Sequence, residues 1–174
     1  FNEPGVAERE FERDVDTTLR AIYFAASGDA GPRNDPATPN PFGMVPTGRG
    51  LLDALPVPGT LPAWLTESDL AVFVQSYQAS GFRGGLNYYR NLDRNWALQG
   101  ALEGKKVDVP ALFLVGERDT GLAIPGMDQI IDAMPALVPQ LRAREIIPGA
   151  GHWLQQLSLM HISEPTRLLS ISYA

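Results

Sequence analysis

The chain has no cysteine and only two histidines among its 174 residues. Without cysteine, a disulfide, a thiolate metal site and a cysteine nucleophile are all excluded. A zinc site would need several carboxylates beside the histidines, and no HExxH-like spacing occurs. The sequence therefore predicts neither a bound metal nor a cofactor.

Clusters of Lys and Arg, long apolar runs and a basic start are also lacking. A formal net charge of −6 disfavours nucleic acid as a partner. No run approaches the roughly 18 apolar residues of a membrane span, and the opening "FNEPGVAERE" has no features of a signal peptide. These absences predict a cytoplasmic globular chain. The missing initiator Met suggests a processed chain or a piece of a longer one.

Residues 1–105 have helical character. From Val6 to Ser27, apolar residues recur at spacings of four, four and three, which predicts one helix; they are Phe11, Val15, Leu19 and Ile22. A second helix is predicted to start at a capping box of Thr66 and Asp69 and to end at Gly81. Its predicted buried stripe consists of Leu70, Phe73, Val74 and Tyr77. The segment "LNYYRNLDRNWALQ" predicts a third helix.

A long segment rich in Pro and Gly, from Ser27 to Leu65, separates the first two predicted helices. Loops of this length are uncommon in compact domains unless they serve as lids, binding loops or linkers. We interpret it as a solvated strap, with a role in substrate entry as the alternative.

The pattern changes after residue 105. "VPALFLVGERD" and "AREIIPGAGH" predict two buried strands, and "GMDQIIDAMPAL" between them predicts a helix. This order is typical of a parallel βαβ unit. Two strands do not form a stable sheet alone, so further strands are expected to precede Phe1. Residues 106–157 are thus predicted to be the last βαβ portion of a mostly parallel sheet.

Two residues of catalytic type follow the predicted strands. Asp119 comes three residues after "ALFLVG", and His152 follows a Gly-Ala-Gly turn after the second strand. Because the carboxyl ends of parallel strands form the usual site of α/β sheets, these side chains are predicted to meet within hydrogen-bond reach. The alternatives remain open: Asp119 as a turn former or cap, and His152 as a packed core residue. From the residues alone, the aromatics Tyr88, Tyr89 and Trp96 are interpreted as helix-packing residues.

Five short segments of the sequence resemble segments of a known protein family. They are "NEPGVAERE", "LPAWLTESDL", "SGFRGGLNYYRNLDRNW", "VPALFLVGERD" and "GAGHWLQQ". In this order they resemble the cap domain and C-terminal catalytic segment of epoxide hydrolases of the α/β-hydrolase fold. The resemblance covers nearly all of residues 1–156. It implies a helical cap over residues 1–105, a core segment over 106–157, and hydrolysis of an epoxide to a vicinal diol.

The resemblance also implies a role for each matching residue. His152 would be the base that activates water, and Asp119 would be the acid that orients His152. Tyr89 would donate a hydrogen bond to the epoxide oxygen. The expected partners are a small apolar epoxide and water, with a homodimer as an expectation for the full-length protein. Residues expected to contact substrate are Trp64, Leu70, Phe73, Tyr88 and Trp153.

Other parts of the family pattern are missing from the sequence. The nucleophilic Asp and the "HG-x-P" loop of the family lie upstream of the cap, and its first cap tyrosine would directly precede Phe1. We therefore expect the chain alone to be inactive. The tail of residues 158–174, including His161, departs from the family and is interpreted as non-native, so its removal should leave thermal stability nearly unchanged.

Three other functions were weighed. A haloalkane dehalogenase shares the fold and the Asp-His logic, but the "YRN" tyrosine favours an epoxide. A serine hydrolase of the same fold is disfavoured for the same reason. A non-catalytic relative that keeps the cap and the pocket is the alternative from another class.

Overall fold

The computed structural model describes residues 3–31, 45 and 48–157. They form two compact units. The first contains residues 3–25, 45 and 48–105, and the second contains residues 26–31 and 106–157. Residues 26–31 thus group with the strands and not with the helices that precede them. The tail and most of the Pro/Gly-rich segment lie outside the described residues.

The first predicted helix is in fact two helices. Helix α1 spans Val6–Glu12 and helix α2 spans Val15–Ala25. Asp14 separates them, because its carboxylate accepts hydrogen bonds from the backbone N–H and the hydroxyl of Thr17 at 3.1 and 2.8 Å. A carboxylate in this position caps the start of a new helix. The prediction of one helix was wrong because it followed the apolar period and overlooked this cap.

Helix α3 spans Glu67–Ser80 and begins as predicted. The Asp69 N–H donates to the Thr66 hydroxyl at 3.1 Å, and the Thr66 N–H donates to the Asp69 carboxylate at 3.2 Å. Gly81 ends the helix with a φ of +67°, a conformation that favours glycine. Of the predicted buried stripe, Leu70 is fully buried, whereas Phe73 is 37% exposed.

The third predicted helix is also divided. Helix α4 spans Arg83–Arg90, helix α5 spans Leu92–Leu98, and a 3₁₀ turn follows over Gln99–Leu102. At the division, both the backbone N–H and the side-chain amide of Asn91 donate to the Asn87 carbonyl, at 3.1 and 2.8 Å. The side chain of Asn91 thereby satisfies a carbonyl at the end of α4.

Ala21, Ala25 and Leu55 form a small hydrophobic cluster, and helices α1 to α4 pack on the main hydrophobic core of the first unit. Its buried residues are Ala7, Phe11, Val15, Leu19, Leu65, Leu70, Phe82 and Leu86. The rings of Phe11 and Phe82 meet edge to face, with centroids 5.4 Å apart, and Tyr77 stacks on Phe82 at 4.5 Å. Such aromatic pairs add to the stabilisation from apolar burial.

A bidentate ion pair joins α1 to α4. Arg90 donates from its two terminal nitrogens to the two carboxylate oxygens of Glu8, at 2.6 and 2.8 Å. Both side chains are nearly buried, and the Glu8 carboxylate also accepts the Gly5 N–H. The hydrogen bonds from Arg90 lower the pKa of Glu8 from 4.5 to about 2. The pair thus fixes the end of α4, where Tyr89 lies, against the start of α1.

The second unit contains a parallel pair of strands, as predicted. Strand β1 spans Ala111–Gly116 and strand β2 spans Leu141–Ile147, with Val115 opposite Ile146. Helix α6, Met127–Leu137, connects them, and helix α7, Leu154–Leu157, follows β2. Within the described ranges, no helix has the length and apolar character needed to cross a membrane.

Candidate active site

Asp119 lies in the turn that follows β1. Its backbone N–H donates to the carbonyl of Gly116 at 3.0 Å, which closes the turn. One carboxylate oxygen, Oδ1, accepts the N–H of Gly121 at 2.7 Å and caps the 3₁₀ turn Thr120–Ala123. The alternative interpretation of Asp119 as a cap is therefore correct, but it describes only one of the contacts of this carboxylate.

The same carboxylate contacts His152. The Nδ1 atom of His152 lies 3.1 Å from Oδ2 and 3.2 Å from Oδ1 of Asp119. The contact predicted from the strand order is therefore present. Because an ionised carboxylate only accepts hydrogen bonds, the contact assigns the tautomer of the neutral imidazole in which the N–H of Nδ1 donates a hydrogen bond to Asp119. The other ring nitrogen, Nε2, then has the lone pair that a base requires.

Burial and charge differ across this dyad. The side chain of Asp119 is 11% exposed, whereas that of His152 is 54% exposed. The hydrogen bond to Asp119 raises the pKa of His152 above its usual value of 6.5, against a smaller opposing effect of burial. A buried carboxylate thus holds one edge of an imidazole that is open to solvent, and His152 is not the packed core residue of the alternative interpretation.

A glycine turn presents His152. After β2 the chain reverses at Gly149, whose φ of +70° is in the left-handed region. The indole of Trp153 then meets the imidazole edge to face, with ring centroids 5.2 Å apart. This contact supports a structural position for Trp153 beside the base.

The aromatic residues of α4 and α5 are exposed. Tyr88 is 81%, Tyr89 58% and Trp96 79% exposed. Their interpretation as helix-packing residues was therefore wrong for this part of the chain. Tyr89 belongs to the first unit and the dyad to the second, so the role of Tyr89 as donor to an epoxide oxygen beside the dyad stays a prediction.

Three further residues were expected to line a pocket. The indole of Trp64 is half-buried and meets the ring of Tyr23 edge to face, with centroids 6.2 Å apart. Phe73 contacts the same ring at 5.4 Å and keeps an exposed surface. Leu70 has no exposed surface, because the core of the first unit encloses it completely. The structure therefore gives Leu70 a packing role, and substrate contact is not proposed for it.

A cleft of about 200 Å³ lies on the first unit, away from these residues. Its lining is Glu10, Arg13, Asp14, Thr17, Ala21, Leu52, Asp53 and Val57. Four charged side chains line this cleft, which does not suit a small apolar molecule. In the described part of the chain, no group of three or more His, Asp or Glu residues could hold a metal ion.

Sequence reasoning missed the residues that support the histidine turn. Ala26, Ser27 and Gly28 are buried and lie against it, although they are more than 120 residues away in sequence. A signal was present, since the small residues of "AASG" directly after a helix permit close backbone approach. Glu117 and Arg118 were also overlooked, because Asp119 was the residue of catalytic type in "GERD".

The parallel strand pair, with the dyad on the loops after β1 and β2, has the arrangement of an α/β protein whose site lies at the carboxyl ends of its strands. Solved structures to which it is similar include epoxide hydrolases, and this similarity places the chain in the α/β-hydrolase fold class. One, from an endophytic Streptomyces, is 39% identical with a TM-score of 0.78, over 97% of this chain and 48% of that one. Another, epoxide hydrolase A from Mycobacterium thermoresistibile, is 33% identical with a TM-score of 0.78, over 98% and 49%.

Curated relatives agree with the structures. Epoxide hydrolase A of Mycobacterium tuberculosis is 36% identical over 156 residues, which are 90% of this chain and 46% of the relative. Epoxide hydrolase 1 of Siraitia grosvenorii is 35% identical over 158 residues, with the same coverage. No protein-family model matches the chain. The chain is thus similar to epoxide hydrolases along nearly all of its sequence, and it spans about half the length of these relatives.

Proposed function

We propose that this chain supplies the helical cap, over residues 1–105, and the C-terminal catalytic segment, over residues 106–157, of an epoxide hydrolase. The observation that carries the proposal is the contact of His152 Nδ1 with the buried Asp119 carboxylate at 3.1 Å, which leaves an exposed imidazole. An Asp–His dyad can take part in several hydrolytic reactions, and the similarity to epoxide hydrolases favours epoxide hydrolysis among them.

The proposed reaction has two steps. First, a carboxylate from the other half of the protein attacks one epoxide carbon, and the C–O bond breaks. Tyr89 donates a hydrogen bond and then its proton to the oxygen that leaves, which stabilises the negative charge that develops there. The products of this step are an ester between enzyme and substrate and a new hydroxyl group.

In the second step His152 acts as the base. Its Nε2 atom takes a proton from water, and the resulting hydroxide attacks the ester carbonyl. The C–O bond of the ester then breaks, and the leaving alkoxide takes the proton of the carboxylic acid that forms, so that the diol is released and the carboxylate of the nucleophile is restored. The proton held by His152 returns through solvent to the phenolate of Tyr89, which restores both side chains. Asp119 keeps the imidazole in the tautomer that leaves Nε2 free of its proton, and it stabilises the imidazolium that forms.

The proposed substrate is a small apolar epoxide. The exposed aromatic surfaces of Phe73, Tyr88 and Tyr89 on the helical unit, and the half-buried indole of Trp153 beside the dyad, are suited to apolar contact. Phe73 and Tyr88 are proposed as wall residues, together with the half-buried Trp64.

The test uses residues 1–157 joined to the remaining half of a curated relative, hereafter the joined protein. Diol formation from styrene oxide is expected in the joined protein and not in residues 1–157 alone. His152→Ala should abolish turnover, and Tyr89→Phe should lower kcat by about 10²-fold or more, the usual cost of losing one donor to a developing oxyanion.

Tyr88→Phe is the matched control for Tyr89→Phe. It removes the neighbouring hydroxyl and keeps the aromatic wall, so it should change KM more than kcat. Equal losses of kcat in the two variants would contradict the role of Tyr89. Turnover of a chloroalkane without turnover of styrene oxide would favour a haloalkane dehalogenase instead.

A further inference from the structure

The buried residues of the second unit lie close to the turn that contains His152. In the described part of this unit they are Ala26, Ser27, Gly28, Gly116, Asp119, Ala150 and Gly151. By contrast, strand residues Leu112 and Ile146 are more than half exposed. The tightest packing of the unit is therefore at the histidine turn, which we define as residues 149–152.

Ala26, Ser27 and Gly28, hereafter the floor segment, pack directly against this turn. The backbone N–H of His152 donates to the Ala26 carbonyl at 2.9 Å. A Cβ atom on Gly151 would lie 2.5 Å from the carbonyl carbon of Ser27, and one on Gly28 would overlap the carbonyl of Gly149. Both glycines are therefore needed for this close approach of two backbones.

Arg118 connects the floor segment to the histidine turn. Its backbone N–H donates to the carbonyl of Ala150 at 2.8 Å, and its Nη1 donates to the carbonyl of Gly28 at 2.9 Å. Its neighbour Glu117 accepts the N–H of Gly149 at 2.8 Å. Residues 117–119 thus contact successive parts of the turn, ending with Asp119 on the imidazole.

The position of the imidazole depends on this support. The side chain of His152 is more than half exposed and contacts Asp119 and Trp153. A shift of the backbone at residue 152 would therefore move Nε2 relative to the ester and the water it activates. Displacements of about 1 Å can cost about 10²-fold in rate.

We infer that Arg118 is a positioning residue for the base His152, acting through the floor segment and the histidine turn. This inference rests on the proposed function. Since His152 serves only hydrolysis of the ester, loss of the Arg118 side chain should slow the second step and leave the first unchanged. A purely structural role would slow both steps together, because the whole site would be disturbed.

The experiment compares Arg118→Met with the joined protein. Single-turnover kinetics with styrene oxide should show ester formation within twofold of the unaltered rate and hydrolysis about 10- to 100-fold slower, so that the ester accumulates. Arg118→Lys keeps a donor and should recover part of the rate. The matched control is Arg142→Met, which changes an exposed arginine of β2 and should leave both steps unchanged.

Amide hydrogen exchange tests the positioning independently of the reaction. In Arg118→Met the N–H of His152 should exchange at least about 10-fold faster, because the support for its bond to Ala26 is lost. Unchanged exchange, or equal slowing of both steps, would overturn the inference. If the unaltered joined protein formed neither ester nor diol, the proposed function would fail, and the exchange result would still decide whether Arg118 holds the turn.

Discussion

The helical unit and the α/β unit bury different kinds of residue. The first encloses eight apolar residues in its main core, including Phe11 and the fully buried Leu70, and it also buries the polar side chains of Thr18 and Glu8. In the described part of the second, the buried residues are small or polar and lie under the candidate base, whereas Leu112 is 52% and Ile146 56% exposed. The helical unit is therefore stabilised by its own core, and the α/β unit concentrates its packing at the site.

The relatives suggest why the two units differ. They are about twice as long as this chain, and a two-stranded sheet is marginal by itself. We predict that, in the joined protein, the half taken from the relative covers the exposed strand residues. The helical unit should then fold with little help, whereas the α/β unit should depend on that half.

The largest expected effect concerns the cores. Leu70→Ala in residues 1–157 should lower the free energy of unfolding of the helical unit by about 2–5 kcal/mol, the usual cost of such a cavity. Leu112→Ala should change stability by less than about 0.5 kcal/mol, because its side chain is largely exposed. Urea unfolding followed by circular dichroism measures both changes.

The comparison can be sharpened in the joined protein. There Leu112→Ala should become clearly destabilising, since the added half would bury this side chain. Val72→Ala, at an exposed position of α3, is the control for helix propensity and should remain nearly neutral. A Leu112→Ala effect that stays small in the joined protein would contradict the proposed covering of the strands.

A smaller effect is expected at the ion pair of the helical unit. Glu8 has a folded pKa of about 2 against an ordinary 4.5. A lowered pKa means that the pair stabilises the fold above pH 4.5 and that this contribution is lost as the pH falls towards 2. Thermal melts should therefore show a steep loss of stability in this range. The Glu8→Gln variant lacks the ion pair at every pH, so it should be less stable at pH 7 and should lose much less stability as the pH falls. Glu3→Gln, at an exposed position, should retain the pH dependence.

The smallest effect concerns the titration of the dyad. Asp119 raises the pKa of His152, so the contact stabilises the fold at low pH and loses this effect as the pH rises through the folded pKa. Asp119→Asn should lower the pKa of His152, as measured by NMR titration of the imidazole protons in the joined protein. An unchanged or higher pKa of His152 in this variant would show that Asp119 does not stabilise the protonated imidazole.

The sequence predicted the site better than the details of the helices. Both strands and the Asp119–His152 contact followed from apolar runs and from the geometry of parallel sheets. The breaks at Asp14 and Asn91 were missed, because local side-chain bonds to the backbone there override an apolar period that continues across them. The floor segment was missed because its contacts join residues that are far apart in sequence.

The central claim is that this chain supplies the base for the second step of epoxide hydrolysis. The most direct measurement is intact-mass spectrometry of the joined protein and of its His152→Gln variant after mixing with styrene oxide. The variant should gain the mass of one substrate molecule and release almost no diol, because its ester forms but is not hydrolysed. The unaltered protein should release diol with little adduct. Diol formation by His152→Gln at the unaltered rate, or loss of diol without any adduct, would contradict the claim.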